Sequence, residues 1–232
     1  MKNIVITGAN KRVGLHLCQM LSKENKVFAI TREPSEALKS LINNCNISQI
    51  KGEFSSDFFD ESFWQKNFTG ISIDSFIHCA ATFFHDSVHN SSKSTLLEQY
   101  QVNTQTFIDA CVSFYQSPNQ EKTCDFIAIG DSQLHLYNEN RFSYGLSKIQ
   151  LVSTIKYLSQ HLSPKIRVNC ISPGIILPDP NQSEKELKNL QENFPYGKGA
   201  SVNDLYQTVQ LIINIQSFAG QIFNLDAGEG LR

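Results

Sequence analysis

Short apolar, β-branched runs alternate with longer segments in which apolar residues recur every three or four positions, from one end of the chain to the other. The short runs lie at residues 2–6, 26–31, 47–50, 73–79, 126–130, 166–171 and 221–225, and each predicts a strand. The segments between them, at 13–23, 35–43, 57–66, 91–116, 143–161 and 201–215, have helical spacing. Strands joined through helices imply right-handed crossovers and a parallel sheet covered on both faces. The pattern therefore predicts an α/β protein, a single-domain Rossmann-type three-layer sandwich with a seven-stranded parallel sheet. Seven such strands in 232 residues leave no room for a second domain. One stretch breaks the rhythm. Residues 178–199 hold three of the seven prolines and the charged patch SEKELKNLQEN, which reads as a solvated surface helix on a loop or as a substrate lid.

Composition narrows the partners. Twenty basic against 22 acidic residues give a net charge of −2, which offers no basic field for nucleic acid or an anionic membrane. No apolar run approaches the roughly 20 residues of a membrane-spanning helix, and the opening MKNIVITGAN has no signal-peptide character. Six cysteines without CxxC spacing predict free thiols in a reducing, cytoplasmic setting. His85 and His89 stand four apart with no third ligand in view, so no metal is expected; a surface pair is the simpler account. Phe54, Phe58, Phe59, Phe63 and Phe68 read as the core face of a helix.

The first turn carries the first chemical signal. Gly8, Asn10, Lys11, Arg12, Val13 and Gly14 lie between the first strand and the first helix, where a glycine turn lets a pyrophosphate approach free helix N–H groups. The GxGxxG spacing is absent, since Arg12 stands where a middle glycine is usual. At the end of the second strand stand Thr31 and Arg32, in place of the acidic residue that holds an unphosphorylated ribose. An arginine fork suits a 2′-phosphate, so NADPH is expected over NADH, although Glu33 follows directly.

The second signal is Tyr144 and Lys148, one helical turn apart, so that an ammonium lies near a phenol and makes it a usable acid/base. Asp131 lies thirteen residues before the tyrosine, at the carboxyl edge of the sheet. Asn103 sits inside the long helical segment, an unfavourable place for asparagine without a reason.

With these residues in this order, the chain resembles short-chain dehydrogenases/reductases over essentially its whole length. The Gly8 turn, Cys79, Ala80 and Ala81 after the fourth strand, Asn103, the Tyr144/Lys148 pair, and Pro173, Gly174 and Ile175 after Val168 and Asn169 fall in that family's order. More narrowly it is similar to pteridine reductases and bacterial dihydromonapterin reductases, through Arg12, through Asp131 in place of the usual serine, through Phe83 as a pterin-stacking aromatic, and through the tail from Phe223 to Arg232. His78-Cys79-Ala80-Ala81 departs from the family's Asn-Asn-Ala-Gly, and no threonine follows Pro173-Gly174 within Ile175, Ile176 and Leu177.

The resemblance implies NADPH-dependent reduction of a 7,8-dihydropterin in a homotetramer built on the helices that carry Asn103 and Tyr144. Asp131 and Tyr144 relay a proton to N5, Lys148 orients the ribose and lowers the Tyr144 pKa, and Asn103 holds a connecting water. Arg12, Phe83, Asp131, Tyr144 and Leu177 meet the substrate. An ionised Asp131 only accepts hydrogen bonds, so it suits N–H groups and repels the oxyanion of a reduced ketone. Two alternatives stand beside this reading. One is a generic carbonyl or 3-ketoacyl reductase that uses Ser132 as the hydroxyl; the other is a non-catalytic NADPH sensor.

Overall fold

The computed structural model describes residues 1–54, 58–60, 62–118, 122–136, 139–179 and 182–231. Seven strands, β1 (Asn3–Thr7), β2 (Lys26–Thr31), β3 (Ile47–Lys51), β4 (Ser75–His78), β5 (Cys124–Ile129), β6 (Ile166–Pro173) and β7 (Ile222–Leu225), form one sheet. All pairings are parallel, in the order β3-β2-β1-β4-β5-β6-β7. The chain leaves β1 toward one edge and returns to β4 on its other side. A crevice therefore opens beyond the carboxyl ends of β1 and β4, where such sheets bind ligands.

Side-chain alternation along the strands sorts the core into two layers. Val5, Phe76, Phe126 and Ala128 face one side, where they meet α3 (Phe63–Phe68), α5 (Thr106–Gln116) and α6 (Phe142–His161). Ile4, Ile6, Ile77, Ile127 and Ile129 face the other, against α1 (Arg12–Leu21), α2 (Glu36–Asn44) and α8 (Val202–Asn214). The first layer is aromatic: Trp64 lies edge-on to Phe114 at 4.9 Å between ring centres and donates its indole N–H to Ser113 Oγ at 2.8 Å. That bond satisfies the one polar group of a buried indole.

Helix starts are set by side chains that accept the orphan first-turn N–H groups. Ser35 caps α2, Ser92 caps α4 (Lys93–Tyr100), and reciprocal capping boxes, Ser183 with Glu186 and Ser201 with Asp204, open α7 (Glu184–Gln191) and α8. The helix expected at 57–66 starts later. Asp60 takes the N–H and hydroxyl of Ser62, so the helix begins at Phe63; Phe54, Phe58 and Phe59 pack from the preceding loop instead of from a helix face. Asp57 lies outside the described residues. The long segment 91–116 is not one α-helix: a π turn, Gln101–Gln105, separates α4 from α5. Residues 178–199 contain α7, with 180 and 181 outside the described residues. Among the described residues no helix is long and apolar enough to cross a membrane, and no group of three or more His, Cys, Asp or Glu could hold a metal ion.

Candidate active site

The turn after β1 is built by backbone contact. Gly8 adopts φ +67°, and a Cβ there would sit 2.6 Å from the Ala80 nitrogen; one on Gly14 would sit 2.2 Å from the Gly8 carbonyl oxygen. Only glycine lets β1, β4 and α1 converge this closely. Lys11, the residue before α1, is extended and makes no side-chain cap bond, and no acidic residue stands in the first turn. The positive end of α1 thus faces the crevice with two exposed cations, Lys11 and Arg12, beside it. Arg12, at φ +51°, turns its guanidinium to the Pro178 carbonyl at 2.7 Å, which ties the turn to the start of segment 178–199.

Asn10 is placed as expected but is committed elsewhere. Its amide donates to Thr31 Oγ1 and the Glu33 carbonyl, both at 2.6 Å, and accepts from the Ser35 N–H at 2.8 Å, so it fastens the turn to the start of α2. Arg32 pairs with Glu53 at 3.2 Å, and Lys51 pairs with Glu33; all four side chains are largely exposed.

The sheet end holds a fully buried polar chain that sequence reasoning did not find. Thr7 Oγ1 lies 2.9 Å from His78 Nδ1 and accepts the Ala80 N–H at 3.2 Å, while His78 Nε2 lies 3.1 Å from the Val102 carbonyl. A carbonyl only accepts, so Nε2 carries the proton and Nδ1 takes the threonine hydroxyl. Burial, with the nearby Lys148 cation, pushes the His78 pKa down to about 3, so the ring is neutral at physiological pH. Cys79 and Ala81 follow at the β4 end beside Ala80, and burial pushes the Cys79 thiol up, away from thiolate chemistry.

Asn103 lies in the π turn and is fully buried. Its Oδ1 accepts the Thr82 N–H at 2.8 Å, and its Nδ2 donates to the Thr82 carbonyl at 3.0 Å and to Ser147 Oγ at 2.9 Å. The side chain clamps the segment after β4 to α6.

Beyond β5 the predicted chemistry converges. Phe83 and Tyr144 meet edge-on at 4.9 Å. Tyr144 and Asp131 share the Arg141 guanidinium, which stands over the tyrosine ring and pairs with Asp131 Oδ2 at 3.1 Å, while Asp131 Oδ1 accepts the Gln133 N–H at 2.7 Å. Lys148 Nζ donates to the Ile129 carbonyl at 2.7 Å and lies 5.9 Å from the tyrosine ring centre. Burial and the Asp131 carboxylate push the Tyr144 pKa up, against the Arg141 and Arg12 cations. Burial lowers the Lys148 pKa, against the pull of Asp131. Ser132 is buried, with its N–H on the Pro173 carbonyl at 3.1 Å and its hydroxyl without a hydrogen-bond partner among the described residues.

On the other wall, Gly174 donates to the Leu225 carbonyl at 3.0 Å, and a Cβ there would meet Glu229 at 2.6 Å. The Ile175 N–H faces Glu229 Oε2 at 3.4 Å, and the Ile175 carbonyl accepts from Gln191 of α7 at 2.8 Å. Leu177 and Pro178 present carbonyls to Arg12. Val13 packs beside the aliphatic core layer at the head of α1.

Sequence reasoning missed Arg141, Gln133, Glu229 and Asp86. Arg141 sits one turn before Tyr144, pairs with Asp131 at 3.1 Å and Gln133 at 2.6 Å, and lies 5.4 Å and 5.0 Å from the Phe83 and Tyr144 ring centres. Asp86 is buried and holds the start of α6 through the Phe142 and Ser143 N–H groups. Burial alone would raise its pKa, but the polar groups of Ser91 and Ser143 beside it outweigh that and hold it low.

A family model described as enoyl-(acyl carrier protein) reductase matches residues 10–228. The 3-oxoacyl-[acyl-carrier-protein] reductase of Buchnera aphidicola is 26% identical over 98% of this chain and 96% of its own length. A dihydromonapterin reductase of Escherichia coli is 24% identical over 99% of this chain and 97% of its own. Among solved structures, FolM alternative dihydrofolate reductase 1 of Brucella canis, complexed with NADP, superposes with a TM-score of 0.90 at 21% identity, over all of this chain and 94% of that one. At that identity the likeness is one of fold.

Proposed function

The chain belongs to the short-chain dehydrogenase/reductase family of nicotinamide-dependent oxidoreductases, and we propose that within it this protein uses NADPH to reduce a 7,8-dihydropterin to the tetrahydro form. The observation that carries the reading is Asp131: a carboxylate paired with Arg141, whose guanidinium stands over both the Phe83 and the Tyr144 rings. An acceptor at that place suits a ring that offers N–H groups.

The residues present fit the cofactor. The Gly8–Gly14 cradle, the uncapped head of α1 and the Lys11 and Arg12 cations form an anion site of the kind that takes a pyrophosphate. Arg32 is held only by an exposed pair worth at most about 1 kcal/mol, so a 2′-phosphate displaces Glu53 at small cost. Bound NADPH supplies the hydride that goes to C6. Lys148, tied to the Ile129 carbonyl, orients the ribose; Cys79, Ala80, Ala81, Pro173, Gly174 and Ile175 line the nicotinamide end with backbone. Tyr144 gives N5 its proton. Burial and the Asp131 carboxylate raise its pKa, so the phenol is protonated but a weaker acid than a free one, and Asp131 accepts a substrate N–H. Phe83 stacks on the pterin, with Leu177 and Arg12 at its polar edge and α7 as a lid.

A relative read as a dihydromonapterin reductase supports the choice of substrate class. One observation favours a second reading: the buried Ser132 hydroxyl, which lacks a partner, suits a carbonyl reductase. NADPH oxidation followed by absorbance, with 7,8-dihydromonapterin, 7,8-dihydrobiopterin, 7,8-dihydrofolate and a ketone panel, separates them. Dihydropterin turnover that collapses in Asp131→Ser is the expected result. Ketone turnover alone refutes the proposal. We place the protein in a homotetramer paired through α4 to α6, whose outer faces expose Leu97, Tyr115, Leu146 and Tyr157. Sedimentation equilibrium tests this.

A further inference from the structure

We propose that Arg141 is the positioning residue of the substrate end of the site, holding Asp131, Phe83 and Tyr144 in one arrangement. The inference deepens the reading of the site given above and rests on it. Its basis is that one guanidinium meets side chains from three separate segments. Nη2 lies 3.1 Å from Asp131 Oδ2, just beyond β5, and Nη1 lies 2.6 Å from Gln133 Oε1. The same group stands over Phe83, from the segment after β4, and over Tyr144 of α6.

Both oxygens of Asp131 are thereby oriented, Oδ1 by the Gln133 N–H and Oδ2 by Arg141. The arginine and aspartate side chains are only 26% and 10% exposed, so the pair is screened far less than a surface pair. The arginine is itself fixed at its backbone, because Asp86 receives the N–H groups of Phe142 and Ser143 immediately after it, and the Arg141 carbonyl takes the Gly145 N–H at 2.7 Å.

From Arg141 the network runs on. Gln133 donates its amide to Glu229 Oε1, and Glu229 Oε2 faces the Ile175 N–H. Gln133 is thereby anchored from both sides, by Arg141 and by Glu229. Arginine is suited to this role by its planar fork, which meets two acceptors and two ring faces at once; a lysine supplies one point charge.

The test is a kinetic double-mutant cycle on the full-length enzyme, with Arg141→Met, Arg141→Lys, Asp131→Ser and the Arg141→Met/Asp131→Ser double variant, and NADPH binding titrated by fluorescence. Arg141→Met is expected to lower kcat for dihydropterin on the order of 10²-fold, with NADPH affinity unchanged. Arg141→Lys is expected to recover part of that loss. In the Asp131→Ser background the same methionine substitution is expected to lower kcat by clearly less, because its charge partner is gone and only its ring contacts remain to be lost. Equal losses in both backgrounds, or a loss that tracks a fall in NADPH affinity, overturn the proposal. If the unaltered enzyme turns over ketones and no dihydropterin, the substrate reading fails by itself, and the same cycle on the ketone decides Arg141: coupling to Asp131 sustains its role, and independence ends it.

Discussion

His78 makes the fold acid-sensitive in a way that can be calculated. In the unfolded chain its pKa is 6.5, and in the folded protein burial lowers it to about 3. Below pH 6.5 the unfolded state binds the extra proton and the folded state does not, so stability falls as pH falls and continues to fall until about pH 3. Between pH 7.5 and 5.0 the cost to the fold is about 2 kcal/mol, at 1.36 kcal/mol per unit beyond the unfolded pKa. His78→Gln keeps one acceptor for the Thr7 hydroxyl and one donor for the Val102 carbonyl but cannot titrate. Its stability at pH 7.5 is expected to drop by about 1–3 kcal/mol, because the geometry of two buried hydrogen bonds is impaired. Its loss on going to pH 5.0 is expected to be about 2 kcal/mol smaller than that of the unaltered protein. Asp125, raised to about 6 mainly by burial, works in the opposite direction, since its folded state holds the proton more tightly as pH falls. That contribution is common to both proteins and cancels in the difference. Urea denaturation at several pH values in this range gives the two curves. Parallel curves would refute the buried, neutral imidazole and the hydrogen-bond chain built on it.

Other substitutions probe other layers of the site. Tyr144→Phe removes the donated proton and is expected to lower dihydropterin turnover by about 10²–10⁴-fold while NADPH affinity, read by titration, stays within a few-fold. Gly14→Ala forces a Cβ to 2.2 Å from the Gly8 carbonyl oxygen, and thermal or urea melts are expected to show a loss of about 1–3 kcal/mol together with weakened NADPH binding. Ser183→Ala removes the hydroxyl half of the capping box on α7, the acceptor of the Glu186 N–H, and is expected to weaken that helix by about 1 kcal/mol. Hydrogen exchange confined to 184–191, with little change in global Tm, is the expected signature; protection unchanged there would show that docking, not the cap, holds the helix.

Much of this was legible in the sequence, and the reason is local. Residues such as Ile4-Val5-Ile6 and Phe126-Ile127-Ala128-Ile129 feed both core layers, so an unbroken apolar run announces a strand buried on both faces. Tyr144 and Lys148 could be found because one helical turn separates them, Gly8 because it follows a strand, and Asp131 because it stands thirteen residues before the tyrosine at a strand end. The later start of α3 was not legible, since the 54–68 phenylalanines fit a helical period while Asp60 bonds its own neighbours two residues on. Arg141, Gln133 and Glu229 were hidden for a different reason. They lie up to 96 residues apart, and only the folded sheet edge brings them into bonding distance. Asn103 was noticed as an oddity, but its partners, Thr82 and Ser147, are equally remote in sequence.

The π turn at Gln101–Gln105 has a consequence for how this helix can change. A π turn is a wider loop of hydrogen bonds, equivalent to one extra residue in an α-helix, so everything downstream is rotated by about 100° relative to an uninterrupted helix. That phase shift lets Gln99 and Thr104 turn toward α6 while Phe107, Cys111 and Phe114 turn toward the aromatic layer. A one-residue deletion within the turn would restore regular pitch at the expense of one of those two registers. The chain's tolerance for length change is thus low at the middle of this helix, beside the site, where a straight α-helix could satisfy the neighbours on one side only.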